Sequence, residues 1–476
     1  MADPLKLVVT GATVYDGTGA APVSADVGIG PGGRIAGVGK IEPSAASRVL
    51  DASGLACAPG FIDVHNHSDE GDRILLAPLA ENLVRQGITT IVCGNCGSSR
   101  HPIGTHLEAV AEAGVSLNYS LLLGLGTLRH AGGDAAELLA DALDEGAVGL
   151  SSADPSESGD ELDRLLEVLR ERGRVYSPHS LARDDAPWDE MAAVADACRR
   201  TGVRAHVSHV AARDARFWGG AGKVLAVVDA AAAEGLALDF NVYPYDSGSA
   251  GLWGMFVPGP FHSDPEIGRK IKEHAPDLER ALAEKMKNVG GAERVRYAGA
   301  DEDLRLKTLD EISRAAGRDP VDLLIDWMKT NPGVVVHSES EEDLRALLRH
   351  PLCTVITDGY ARAPGDPVGH PHDFGTFPRV LGRFARDEGL FALEDIIRRM
   401  TSLPAGTFGL GRRGTIASGA HADMVLFDPA KVAEAATYED PGVFPVGIEH
   451  VLVNGELVVE SGRHTGLRPG TVLRGE

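Results

Sequence analysis

Phe61-Ile62-Asp63-Val64-His65-Asn66-His67 closes an apolar run that begins near Leu55. A β-strand repeats every two residues, so the imidazoles of His65 and His67 leave one face of it together. The residues before them (Leu55, Ala56, Pro59, Phe61, Ile62, Val64) read as a fully buried strand, with the histidines at its C-terminal end. That spacing suits two ligands of one metal ion. The plain alternative is a pair of surface histidines on a loop, and the rest of the chain decides between them.

Working outward, the middle of the chain alternates strand and helix. Strands are expected near Leu55–Val64, Thr89–Cys93, Ser116–Leu123, Ala147–Leu150, Arg174–Ser177, Val203–Val207, Ala237–Val242 and Thr354–Thr357. Amphipathic helices fall between them, for example Glu161–Arg172, Met191–Thr201 and Lys223–Glu234. Eight strands with intervening helices argue for an α/β fold, a (β/α)8 TIM-type barrel whose chemistry sits at the C-terminal strand ends. A charged helical insertion, about 264–349, interrupts the last repeat, where a lid or an oligomer contact is often built.

Both ends of the chain are β-rich. Leu7–Val9, Ala12–Tyr15, Asp26–Ile29 and Ile35–Val38 are separated by glycine-rich turns. Asp423–Phe427 is a strand, and His450–Val453 with Leu457–Val459 forms a hairpin around Asn454-Gly455. The expected organisation is a small β-sandwich built from residues 1–54 and 415–476 around a barrel at 55–414.

The 476 residues carry a net charge of −23, which disfavours nucleic acid and anionic membranes as partners. No apolar run approaches the roughly 20 residues of a membrane span. Met1-Ala2-Asp3-Pro4 does not begin a basic-then-apolar leader, so no secretory signal is expected. Five unevenly spaced cysteines do not make a disulfide framework, and a reducing cytoplasm is the default.

The strand ends carry the chemistry. The first ends in His65 and His67, and the second runs into Cys93-Gly94-Asn95-Cys96-Gly97. The fifth ends in Pro178-His179, the sixth in Ser208-His209 and the eighth in Thr357-Asp358-Gly359. Imidazole with thiolate favours zinc. Cys93 reads as a small apolar strand residue rather than half of a redox pair. His209 is preferred to His206 because it lies nearer the strand end, on the opposite face. His101, His106, His337 and His370 read as polar surface or core residues. Asp69 either orients a ligand histidine or is a solvated loop carboxylate.

These residues resemble the amidohydrolase superfamily, and within it the N-acyl-D-amino-acid deacylase (D-aminoacylase) family. The matching text is Ala58-Pro59-Gly60-Phe61-Ile62-Asp63-Val64-His65-Asn66-His67, Gly94-Asn95-Cys96-Gly97, Gly149-Leu150-Ser151-Ser152, Pro178-His179, Val207-Ser208-His209, Tyr243-Pro244-Tyr245, Thr357-Asp358-Gly359 and Gly375-Thr376-Phe377-Pro378. The resemblance implies a zinc-dependent hydrolase of a C–N amide bond in a small N-acyl substrate. It implies Cys96, His179 and His209 as ligands of a tightly bound zinc. His65, His67 and Asp358 are implied for a second, weaker site. Asp358 is also implied as general base and acid, with a metal-activated water as nucleophile. Substrate contacts are expected from Arg183, Tyr243, His372 and Ser151. Self-association is implied without a fixed number of subunits.

Departures from the family pattern are as informative. A lysine expected two residues after the Ser-His pair is Ala211, and an arginine expected in a His-Pro-Arg motif is His372, in His370-Pro371-His372. A tyrosine expected after the Gly-x-Ser-Ser turn is missing, and a His-Met-Arg-like motif reads His179-Ser180-Leu181-Ala182-Arg183. Loss of the two cations predicts an altered carboxylate pocket, for an amide that lacks an α-carboxylate or whose carboxylate is esterified, amidated or held elsewhere. Arg183 or Arg213 would restore a cation from a new direction. The competing enzyme reading is a cyclic amide or imide hydrolase of the hydantoinase or dihydropyrimidinase kind. Cys96 and the absence of a lysine at the fourth strand end argue against it. A non-catalytic scaffold of the same fold would have lost ligands, and all six candidates are present.

Overall fold

The computed structural model describes residues 5–154, 158–180, 186–257 and 266–475. Its centre is a ring of parallel strands: Phe61–Asp63, Ile88–Cys93, Asn118–Leu121 continuing as Leu123–Gly124, Gly149–Ser152, Val175–Pro178, Arg204–Val207, Leu238–Val242 and Cys353–Val355. Each pairs in parallel with its neighbour. The ring closes where Asn66 pairs with Gly359 and the Asp358 N–H donates to the His65 carbonyl at 3.1 Å. The second, fifth and seventh strands are buried along their whole length. Both their faces are covered, so their sequences are mostly apolar rather than alternating.

Helices cover the outside. Asp160–Glu171 buries Leu162, Leu165, Leu166 and Leu169, a single stripe at helical spacing. Pro187–Thr201 packs beside it and Ala221–Ala233 beside Pro187–Thr201, close to the spans expected from sequence. No described helix is long and apolar enough to cross a membrane.

Both termini contribute to one nine-stranded sheet. It curls so that Arg34 pairs with His421, enclosing an apolar core of Leu7, Val9, Val27, Ile29, Met424, Leu426 and Leu452 among others. The two short N-terminal strands expected from sequence are one strand, Leu7–Val14, with an irregularity between Val9 and Ala12. The Asn454-Gly455 turn joins Ile448–Val453 to Glu456–Glu460, and both its residues have positive φ, 48° and 77°.

Two expectations change. Leu55–Val64 is not one strand. Ala56–Pro59 belongs to the terminal sheet, where it pairs with Leu7–Val14 and Met424–Phe427, and Phe61–Asp63 opens the barrel. The terminal sheet therefore reaches Pro59, past the expected boundary at 54. Gly60 makes the crossing, and a Cβ there would lie 2.2 Å from the Thr89 side chain. Both halves of the run are buried, so hydrophobicity gave no sign of the break.

The insertion is not purely helical, nor does it span 264–349. It begins at Gly248–Gly251, which with Val295–Tyr297 and Gly333–Val336 forms a three-stranded antiparallel sheet. Helices including Pro276–Asn288 and Pro320–Met328 share a separate core with it. Glu341–Arg349 instead packs on the barrel against Ala221–Ala233. The strands are three or four residues long, and the surrounding charge masks them.

Candidate metal centre

The first strand delivers His65 and His67 to the C-terminal mouth of the ring, and the closing strand delivers Asp358 beside them. The Asp63 carboxylate ties these two together: it accepts from the Thr357 hydroxyl at 2.6 Å, the Thr357 N–H at 3.1 Å and Asn66 Nδ2 at 3.0 Å. Asp358 Oδ1 then lies 3.3 Å from His65 Nε2 and 3.2 Å from His67 Nε2.

Cys96 rides on a tight turn after the second strand. Gly94 (φ 76°) and Gly97 (φ 73°) permit it, since a Cβ on Gly94 would lie 2.2 Å from the Leu122 carbonyl oxygen. Ser151 pins the turn, donating to the Gly94 carbonyl at 2.6 Å and accepting from the Gly97 N–H at 3.1 Å. The Asp69 carboxylate accepts the Gly94 N–H at 3.2 Å. Cys96 Sγ ends 3.4 Å from His65 Nε2, 3.6 Å from His209 Nε2 and 2.9 Å from His179 Nδ1.

Among the described residues, donor atoms within 4.8 Å of one another form two sets, His65–Cys96–His209 and His65–His67–Asp358. His65 thus faces both, whereas the resemblance grouped Cys96 with His179 and His209. His179 joins through Cys96 and through its ring, 4.2 Å from that of His209. The donor chemistry fits zinc. A tetrahedral zinc with bonds of roughly 2.0–2.3 Å holds its ligand atoms about 3.3–3.8 Å apart. The Cys96–His65 and Cys96–His209 separations fall in that span. Burial, with neighbouring imidazoles adding, holds His65 and His209 well below the usual histidine range, so both stay neutral lone-pair donors. Burial opposes protonation of His67 too, but hydrogen bonds to Asp358, Cys96 and Glu70 outweigh it.

A cavity of about 320 Å³ opens over these groups, lined by His67, Cys96, His179, His209 and Asp358 on the barrel side. Met255, Lys285, Val289 and Val336 of the insertion form the opposite wall.

The remaining expected contacts divide. Tyr243 lines the cavity and its hydroxyl donates to Glu339. Ser151 does not line it, because its hydroxyl is used in the Cys96 turn. His372 does not line it either: its side chain is 4% exposed, with Nε2 3.6 Å from Asp373. Burial, with Arg362 adding, lowers the His372 pKa to about 3, so it supplies no cation. Arg183 lies outside the described residues. Asp69 orients the Cys96 turn rather than a histidine. Cys93 Sγ points away, toward Asn66 Oδ1 at 3.8 Å. His206 is wholly buried, 2.5 Å from Asp239 and 2.8 Å from Asn241, whose Oδ1 accepts the His209 N–H at 2.5 Å. Glu70, 3.0 Å from His67 Nδ1, was not expected; its i+3 placement after His67 was the available sign.

The Amidohydrolase family model matches residues 268–459. Over the whole chain the sequence is 34% identical to the N-acyl-D-glutamate deacylase of Alcaligenes xylosoxydans xylosoxydans, across 100% of this chain and 97% of that one. The chain belongs to the D-aminoacylase family of amidohydrolases. A solved structure of N-acyl-D-glutamate deacylase from Bordetella bronchiseptica, complexed with zinc and a phosphonate mimic of the tetrahedral intermediate, superposes with a TM-score of 0.83. It is 30% identical and covers 99% of this chain and 100% of that one. A D-hydantoinase structure shares the fold at 18% identity and a TM-score of 0.58, covering 98% of each chain, so the cyclic-amide alternative is not favoured. This D-aminoacylase family member differs from the family pattern around the cavity. Ala211 is buried where a lysine is expected, and Arg213, two residues on, lines the cavity instead. Its Nη2 lies 2.9 Å from His209 Nδ1 and its Nε 3.6 Å from Glu339. Burial pushes the Glu339 carboxyl up to about 7, against the pull of Arg213 and of the Tyr243 hydroxyl.

Proposed function

We propose that this protein hydrolyses the amide bond of small N-acyl-D-amino-acid-type substrates. The observation that carries the reading is the convergence of Cys96, His179, His209, His65, His67 and Asp358 at the C-terminal mouth of one barrel, all but the buried His65 lining one cavity. His65, Cys96 and His209, with His179 beside them, would hold one zinc, and His65, His67 and Asp358 a second. Bound zinc supplies Lewis acidity toward the amide carbonyl and lowers the pKa of water.

The chain does the rest. Asp358 lines the cavity at hydrogen-bond distance from His65 and His67. It is placed to take the proton of the attacking water and return it to the departing nitrogen. Glu70 fixes the His67 ring from its far side. Met255, Val289 and Val336 of the insertion make part of the cavity wall apolar, which strengthens the charge interactions within.

The test is release of primary amine from N-acetyl-D-amino acids by the zinc-loaded protein, with the L-enantiomers and 5-substituted hydantoins alongside. Release from the D-series, with little from the L-series and no ring opening, is the expected result. Ring opening without amide cleavage would move the protein to the cyclic-amide hydrolases.

A further inference from the structure

The cavity needs a cation close to the metal centre if the substrate carries an α-carboxylate, because that group sits only two bonds from the scissile nitrogen. The two positions from which the family pattern would supply one do not: Ala211 has no charge, and His372 is buried outside the cavity in its neutral form. Among the described residues that line the cavity, the arginine and lysine side chains are Arg213 and Lys285. Lys285 belongs to the insertion wall, whereas Arg213 Nη2 reaches a ring atom of His209 at 2.9 Å. Arg213 is also held in place. Nη1 donates to the Ser180 carbonyl at 3.1 Å and Nη2 to the His209 carbonyl at 3.2 Å. Behind it, Glu339 is 4% exposed, does not line the cavity and is fixed by the Tyr243 hydroxyl. Nε of Arg213 is buried and makes no hydrogen bond. An arginine that lines the cavity while already anchored to the Ser180 and His209 carbonyls loses little freedom on meeting an anion there.

We infer that Arg213 anchors the anionic group of the substrate, from a position two residues beyond the one where the family carries its lysine. Glu339 and Tyr243 act as positioning residues that hold it. The inference rests on the amide-hydrolase reading and deepens it by naming the residue of this chain that would hold the carboxylate. It also explains how Ala211 and His372 are compatible with a substrate bearing that group.

The test pairs N-acetyl-D-alanine with N-acetyl-D-alaninamide, using zinc-loaded wild type, Arg213→Met and Arg213→Lys, with zinc content measured in each. The wild type should prefer the acid. Arg213→Met should lower the ratio of kcat/KM for the acid to that for the carboxamide by about 100-fold, mainly through KM for the acid. Arg213→Lys should recover part of the loss. Equal losses on the two substrates overturn the assignment, because they mark a general effect on His209. A wild type that cleaves the carboxamide as well as the acid also overturns it, while amide hydrolysis stands. A wild type inert to both defeats the hydrolase reading. Calorimetric binding of the same two compounds to Asp358→Asn, with and without Arg213→Met, then decides Arg213 by itself: an acid preference that survives the loss of Arg213 overturns its role.

Discussion

Cys96, His209 and Asp358 share a backbone conformation as well as a cavity, with φ of 54°, 37° and 56°. A side chain in that region costs of order 1–2 kcal/mol, and it persists only where the surroundings fix it. Here the surroundings are Ser151 and Asp69 under the Cys96 turn, Asn241 on the His209 N–H, and Asp63 on Thr357. Ser151→Ala removes both bonds to the turn. It should weaken zinc binding by about 10–100-fold in competition with a chelator, with the fold retained; unchanged affinity would show that the turn holds itself. Asp358→Asn should lower kcat by about 10²–10⁴-fold while zinc remains on the Cys96 side. A fall of less than tenfold would remove it as the proton carrier. The six candidate donors were legible in the sequence because each stands at or just beyond the end of a strand. Their partners were not. Asn241 reaches His209 from 32 residues away and Glu339 reaches Tyr243 from 96, and only the closed ring brings them together.

Among the elements, the barrel strands and the helices between them follow from long apolar periods, and the structure shifts them by a few residues. The misplaced boundary at Gly60 has a plain cause. Where two buried segments run on without a polar break, hydrophobicity does not say which sheet each joins, and Gly60 alone marks the crossing between Ala56–Pro59 and Phe61–Asp63. Any side chain there meets Thr89. Gly60→Ala should therefore cost about 1–3 kcal/mol, read as a lower denaturant midpoint. A midpoint equal to wild type would mean that Thr89 moves freely and that the crossing is not tightly packed. The short insertion strands were missed for a different reason: three or four residues are too few for a period to show.

On the scale of the whole molecule, the terminal sheet and the insertion each have a core of their own beside the large core between barrel and helices. The insertion supplies one wall of the cavity but none of the six candidate metal donors, so the two roles separate. Leu324→Ala, at a fully buried site in the insertion core, should destabilise that unit by about 2–5 kcal/mol. Zinc content should hold while kcat/KM falls. Parallel loss of zinc would mean that the insertion also supports the metal centre. The central claim concerns the donor cluster, and the most direct measurement is a zinc titration of metal-stripped protein that follows both bound metal and amine release from an N-acetyl-D-amino acid. Activity is predicted to rise from zero with the first bound zinc, and Cys96→Ala is predicted to bind that zinc far more weakly and to stay inactive at the same concentrations. Amine release by the metal-free protein, or a Cys96→Ala variant as active as wild type, would contradict the account.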